Sequence, residues 1–513
     1  MTDDLNGGGV GGYRSGGRDP VRGPAAPNDL RIELRGVQPV DPSRRFGHPA
    51  RLFTLWFTAQ ISPSTFFVGV LGTAGFIGLG WRWGLVAIVA GNVLGSITVA
   101  LLATLGCRTG APQLQQSRMA FGRTVHFPAT LTWITQIGFE ALAAIFGAEA
   151  LNVLFGLDYY VGLVVTFCCM GVLSVAGYEA IHLFEKVMSG VLLALFGVIT
   201  AKTFLAHPEV VAHASGGAFA GGFVLMLAIV VGYAVSWGPV SSDYSRYLPE
   251  DTPAGRTFLA VFAGLVLGMT WVEILGFAGS VLVKGVSSMA GVAATMGGGA
   301  LSDVAMVGMF LGTIAILAVE DYSGALAAQA AGVRIVRPLV TVLSAAVAFA
   351  VAAWLNTGAT GVKFEDVLLL ISYWITPWTA VVLIDWFRDG RRRSFAEHRN
   401  VLGGSIGRLR AGWNEWAAVV AVVVGFLVCI PFSNTSTGAD IVKAWPGSAW
   451  FFGGFANHFL HGGDLAFYVG FLAGGLVYLV AVGLGGRRRG TEVAGGSAAA
   501  NAGAAGASRR PVG

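Results

Sequence analysis

Three residues of one apolar stretch, Gln136, Phe139 and Glu140, stand at spacing i, i+3 and i+4 and share one face of any helix that contains them. An amide, an aromatic plane and a carboxylate on one stripe suit a flat heterocycle. The ring stacks on one face while hydrogen bonds read its edge. Ala143, Ala144 and Gly147 continue that face with small side chains and leave room beside it. Glu149, turned by about 220° from Gln136 at roughly 100° per residue, is expected to pair with another helix.

Further acids lie in equally apolar surroundings, where each ionisable group is expensive and marks a cavity or a partner. Glu320 and Asp321 sit deep in FLGTIAILAVEDYSGALAAQAAG. Adjacent residues on a helix cannot both face one cavity, so one of the two is expected to turn toward a neighbouring helix. Glu273 divides evenly between a functional acid and an interhelical hydrogen bond.

Two stretches are interrupted by helix breakers. LWFTAQISPSTFFVGVLG carries Ser62-Pro63, and AIVVGYAVSWGPVSSDYSRYLPEDTP carries Gly238-Pro239 with Trp237 beside it. Proline removes a backbone donor and clashes with the preceding turn. In hydrocarbon the freed groups need partners, so such breaks persist where they line a cavity. Either proline alone reads as a simple kink. The pair sits in the first and sixth apolar stretches, where a five-plus-five inverted repeat places its unwound segments around a midplane site. Ser62, Pro63 and Gly238 then offer half-helix ends to a polar solute, and Trp237 a stacking plane.

The elements that must position these residues follow from composition. The chain has 513 residues, 54% hydrophobic and 12% charged, with 75 glycines and a mean hydropathy of +0.68. A soluble multidomain enzyme carries about twice that charge, so the chain reads as a polytopic membrane protein. Stretches long enough to span a bilayer run over 53–79, 83–106, 127–155, 159–176, 182–205, 219–241, 257–283, 303–332, 338–355, 364–387, 414–431 and 464–484. With the N-terminus inside, 28 of the 33 Lys and Arg fall on the cytoplasmic side, and only Arg82, Lys202, Lys284, Lys363 and Lys443 fall outside. That asymmetry is the positive-inside pattern. It predicts twelve spans in the cytoplasmic membrane with both termini cytoplasmic.

Residues 1–45 and 487–513 are low-complexity and read as disordered cytoplasmic tails. Between them lie a ten-helix core over 46–387, a basic cytoplasmic loop over 388–413 and two peripheral helices over 414–486. Segment 284–302 reads as an external loop with a short interfacial helix, and 432–463 as an external loop resting on the bilayer. Cys107, Cys168, Cys169 and Cys429 lack metal-ligand spacing, and the histidines form no set, so no metal, cofactor or nucleic acid is expected. No phosphate loop or nucleophile–base constellation argues for an enzyme. One paired break with an asymmetric acidic pocket argues for a transporter rather than a channel.

On these residues the chain resembles the nucleobase:cation symporter-1 family, purine–cytosine permease branch. The resemblance runs over about 36–390 and rests on GVQPVDPSRR, LWFTAQISPSTFFVGVLG, TQIGFE, SWGPVSSDYSRYLPEDTP, EDYSGALAAQAAGVRIVRP and FEDVLLLISYWITPWTAVVLIDWFRDGRRR. It implies a LeuT-type fold, ten helices in an inverted repeat plus two peripheral ones, and cation-coupled uptake of nucleobases or related heterocycles. It implies that Gln136 and Phe139 bind the base, that Trp237 or else Tyr233 completes the sandwich, and that Glu320 reads the other edge. Phe139 stands where the family frequently has Trp, and Glu320 where Asn is usual. A carboxylate donates a hydrogen bond only when protonated, so a nucleoside, hydantoin, allantoin or vitamin remains the alternative substrate. Sodium-coupled relatives use carbonyls of the first-helix break and hydroxyls of the eighth helix. Here the run between Thr313 and Ser323 has no Ser or Thr. Thr313 is thus the one hydroxyl candidate nearby, while Glu140, Glu320 and Asp321 can carry a proton, and proton coupling is the expectation.

Overall fold

The computed structural model describes residues 38–73, 76–176, 178–205, 220–282, 289–357, 360–403 and 413–484. Most of both expected tails lies outside these residues, as do 284–288 and 404–412. The described residues form α-helices joined by short 3-10 turns and loops. We number the main ones α1 (Ala50–Ala59), α2 (Pro63–Leu71), α3 (Trp81–Thr109), α4 (His126–Phe155), α5 (Tyr159–Ala176) and α6 (Tyr178–Leu205). There follow α7 (Ala220–Val235), α8 (Ser242–Ser245), α9 (Ala254–Leu282), α10 (Met289–Thr295), α11 (Gly299–Ala330), α12 (Arg337–Leu355) and α13 (Thr360–Arg388). The last are α14 (Phe395–Gly403), α15 (Trp413–Cys429), α16 (Ser436–Ala444) and α17 (Ala466–Leu484).

Ten of the described helices are long and apolar enough to cross a membrane. The two remaining expected spans are the first, divided into α1 and α2, and the shorter apolar α5. Both breaks fall where proline stands. Ser62 leaves helical geometry with φ −139° and ψ 158°, and Pro63 starts α2 at its first position, where its missing N–H costs nothing. After Val235 the chain passes through a 3-10 turn at Gly238–Val240 before α8 begins.

Small residues set how closely the helices approach. A Cβ on Gly69 of α2 would overlap the backbone of Glu273 in α9, and one on Gly276 would overlap the Phe66 carbonyl. The two helices therefore cross with their backbones in contact, a packing open to small residues. α11 packs along α4 through the centre of the molecule, and nearly all of α11 beyond Gly312 is buried.

The boundary of the N-terminal tail differs from the sequence reading. Residues 38–45 are structured: Val40 N–H donates to the Gly110 carbonyl at 2.8 Å. The buried Arg45 guanidinium donates to the carbonyls of Cys107 at 2.6 Å and Val40 at 2.9 Å. An arginine in a low-complexity tail carries no sequence signal that it caps the C-terminal end of α3. The loop after α15, expected to be external, is likewise held down. Ser436 and Thr437 direct four N–H and O–H donors at Asp366 of α13, at 2.5–2.8 Å. Asp464 accepts from Tyr373 and from Asn434 N–H.

Candidate functional site

The two breaks are tied to each other. Ser62 caps α2 by accepting from Thr65 N–H at 3.3 Å, and its hydroxyl lies 3.0 Å from that of Thr65. The Thr65 hydroxyl is 2.8 Å from the Tyr233 hydroxyl on α7. Trp237, just past α7, sets its ring edge-on to Trp56 of α1 at 5.6 Å, and Trp56 meets Tyr244 of α8 in the same way at 5.8 Å.

Beside this junction is a cavity of about 370 Å³ lined by Ser64, Gln136, Phe139, Leu142, Tyr233, Ser236, Trp237, Glu320 and Phe364. Four aromatic rings line it: Phe139 of α4, Tyr233 of α7, Trp237 at the sixth-helix break and Phe364 near the start of α13. Phe364 packs edge-on to Phe67 at 5.1 Å. Gln136 supplies an amide, and Glu320 a carboxylate of which one oxygen is buried without a hydrogen-bond partner among the described residues. An aromatic slot with an amide and an unsatisfied carboxylate can stack a planar heterocycle and bond its edge.

Five expected site residues, Gln136, Phe139, Tyr233, Trp237 and Glu320, thus line one cavity. Ser62, Pro63, Gly238 and Glu140 do not line it. Ser62 and Pro63 shape the turn that presents Ser64, and Gly238 opens the 3-10 turn behind Trp237. Glu140 is fully buried beside α11, with both carboxylate oxygens unpartnered among the described residues, and within electrostatic reach of Asp321 and Glu320. Asp321 turns away and accepts from Ser174 of α5 and from Thr341 of α12, the latter at 2.8 Å. Thr313 donates to the Met309 carbonyl of its own helix and lines no described cavity at the break. Glu273 accepts from Asn92 of α3 at 2.7 Å, and Glu149 from Met289 N–H at 3.0 Å, so both join helices.

Sequence reasoning missed Ser64, Leu142, Ser236 and Phe364. Ser64 and Ser236 adjoin the breaks and could have been found from them. Leu142 and Phe364 are apolar residues among many and carry no local signal.

Comparison with known proteins places the chain. Residues 39–459 match the family model described as permease for cytosine/purines, uracil, thiamine, allantoin. The Bacillus subtilis (strain 168) protein YxlA, provisionally named a purine-cytosine permease, is 25% identical over 461 residues, covering 88% of this chain and 96% of that one. The purine-cytosine permease fcyB of Emericella nidulans is 25% identical over 472 residues, covering 88% of each. Among solved structures, Mhp1, a nucleobase-cation-symport-1 family transporter closed around bromovinylhydantoin, aligns with a TM-score of 0.66 at 18% identity. The alignment covers 88% of this chain and 95% of Mhp1. The fold is therefore the LeuT-type arrangement of that transporter.

Proposed function

The chain belongs to the family of permeases for cytosine and purines, uracil, thiamine and allantoin, and from that premise we propose that it imports a nucleobase, cytosine or a purine, across the cytoplasmic membrane by proton symport. Twelve spans with both termini cytoplasmic would carry the motion, the site opening alternately to either side. The observation that carries this reading is the convergence of Gln136, Phe139, Trp237 and Glu320 on one cavity beside both helix breaks. The base would lie between Phe139 and Trp237, with Gln136 bonding one edge and Glu320 the other.

Binding to the purified protein tests it, with cytosine, adenine and hypoxanthine against uridine, hydantoin, allantoin and pyridoxine in the same titration. The expected outcome is saturable binding of at least one base, weakened roughly tenfold by Gln136→Ala, the equivalent of about 1.4 kcal/mol for one hydrogen bond in a dry site. Binding of a non-nucleobase ring alone would move the substrate class and leave the site in place. Base binding unaffected by Gln136→Ala would place the site elsewhere.

A further inference from the structure

A second cavity, of about 270 Å³, lies on the other side of the first-helix break. The break contributes Ala59, Ile61 and Ser62, α11 contributes Gly312 and Ala315, and α6 contributes Glu185. Pro63 has no N–H to offer the carbonyl four residues back, so Ala59 lacks its helical partner at the cavity edge. Glu185 is the one titratable residue in the lining, its side chain is buried, and no described residue donates a hydrogen bond to its carboxylate. A buried carboxylate in a lining made mostly of apolar side chains is costly in the ionised state. Adding one proton removes the charge and supplies a hydrogen-bond donor beside the break.

We propose that Glu185 is the residue that carries the coupled proton, binding it at the first-helix break in the outward-facing state and releasing it inward. The proposal rests on the symporter reading above and assigns its ion site to an acid on α6 rather than to Glu140, Glu320 or Asp321. The α11 wall presents Gly312, Ala315 and Ile316, none with a side-chain oxygen. A sodium ion needs several oxygen ligands and would find none on that wall, the hydroxyls of Thr58, Ser62 and Ser189 lying on the others, whereas a proton needs only the carboxylate. The step is a plain protonation: the carboxylate gains a proton from the external solvent, the neutral carboxyl donates to the break, and the same proton leaves to the cytoplasm. Around Glu185, Tyr244 of α8 is within electrostatic reach. On α11, Glu320 faces the neighbouring cavity and Asp321 is held by Ser174 and Thr341, while Glu273 of α9 is held by Asn92. Lys186, next on α6, is exposed.

The test uses the full chain in proteoliposomes with labelled cytosine, adenine and hypoxanthine in parallel. Counterflow reports exchange of the base, and accumulation under an imposed pH gradient reports coupling. Wild type is expected to do both. Glu185→Gln, which mimics the protonated acid, is expected to keep counterflow while its accumulation ratio falls to unity. Glu185→Asp, which keeps an acid in place, is expected to accumulate with a displaced pH profile, and it decides the matter if the glutamine variant fails to fold. Accumulation by Glu185→Gln equal to wild type, a wild-type pH profile in Glu185→Asp, or accumulation driven by sodium at constant pH would each overturn the assignment. Absence of counterflow for every base in wild type would instead strike the importer reading on which it stands.

Discussion

Glu320 and Asp321 are neighbours in the chain with opposite surroundings, and their substitutions should separate accordingly. Asp321 accepts from hydroxyls on two other helices, Ser174 and Thr341. Truncating it removes the carboxylate to which both buried hydroxyls donate, at about 1–3 kcal/mol for each lost bond. Asp321→Ala is therefore expected to lower the melting temperature of the purified protein by several degrees while leaving the order of preference among bases unchanged. Glu320 has one oxygen unpaired at the cavity wall, so Glu320→Gln should leave the melting temperature close to wild type and change which heterocycles compete. Thermal unfolding and competition binding on the same two preparations check this. Equal melting shifts would contradict the division of roles. The sequence foresees that two adjacent acids must part company, because a helix turns about 100° per residue, but not which acid goes where. That depends on hydroxyls at Ser174 and Thr341, remote in sequence. Glu185 escapes notice altogether, since an acid followed by Lys186 near a helix start reads as an ordinary cytoplasmic rim.

At the scale of elements, the spans are legible because nothing else explains apolar runs of this length, and the breaks are legible because proline marks them. What lies outside the bilayer is less so. α14 within the basic segment after α13 docks through His398, whose ring stacks on Trp386 at 5.6 Å and whose Nε2 is 3.0 Å from the Gly390 carbonyl. Gln115 and Arg118 hold the Leu402 carbonyl at the far end of the same helix. Burial lowers the His398 imidazole below its ordinary value of 6.5, opposed by the hydrogen bond to Gly390. A depressed value in the folded state means that docking is firmest above pH 6.5, where both states are neutral. Docking is lost as the pH falls through the folded value, because only the undocked ring takes up its proton readily. Amide hydrogen exchange across 395–403, corrected for its intrinsic pH dependence, should therefore quicken on mild acidification, and His398→Phe should abolish the change. Exchange that is indifferent to pH in wild type would show that His398 does not hold the helix.

Across the whole molecule, two interrupted helices, five spans apart in sequence, meet at one junction through Ser62, Thr65 and Tyr233 with a cavity beside it. An inverted repeat accounts for why two breaks so distant in the chain face each other, and the LeuT-type fold is built on such a repeat. The residues that surround the cavity come from α2, α4, the sixth-helix break, α11 and α13. Relative motion of these elements necessarily opens or closes the site, which is what carrying a solute across the bilayer requires. The most direct measurement is uptake of labelled cytosine, adenine and hypoxanthine into cells that lack their own permeases, at acidic and neutral pH and with a protonophore. The account predicts that at least one base is concentrated, faster at acidic pH, and that the protonophore abolishes the accumulation. A correctly inserted protein that concentrates none of them, or does so undiminished with the protonophore present, would contradict it.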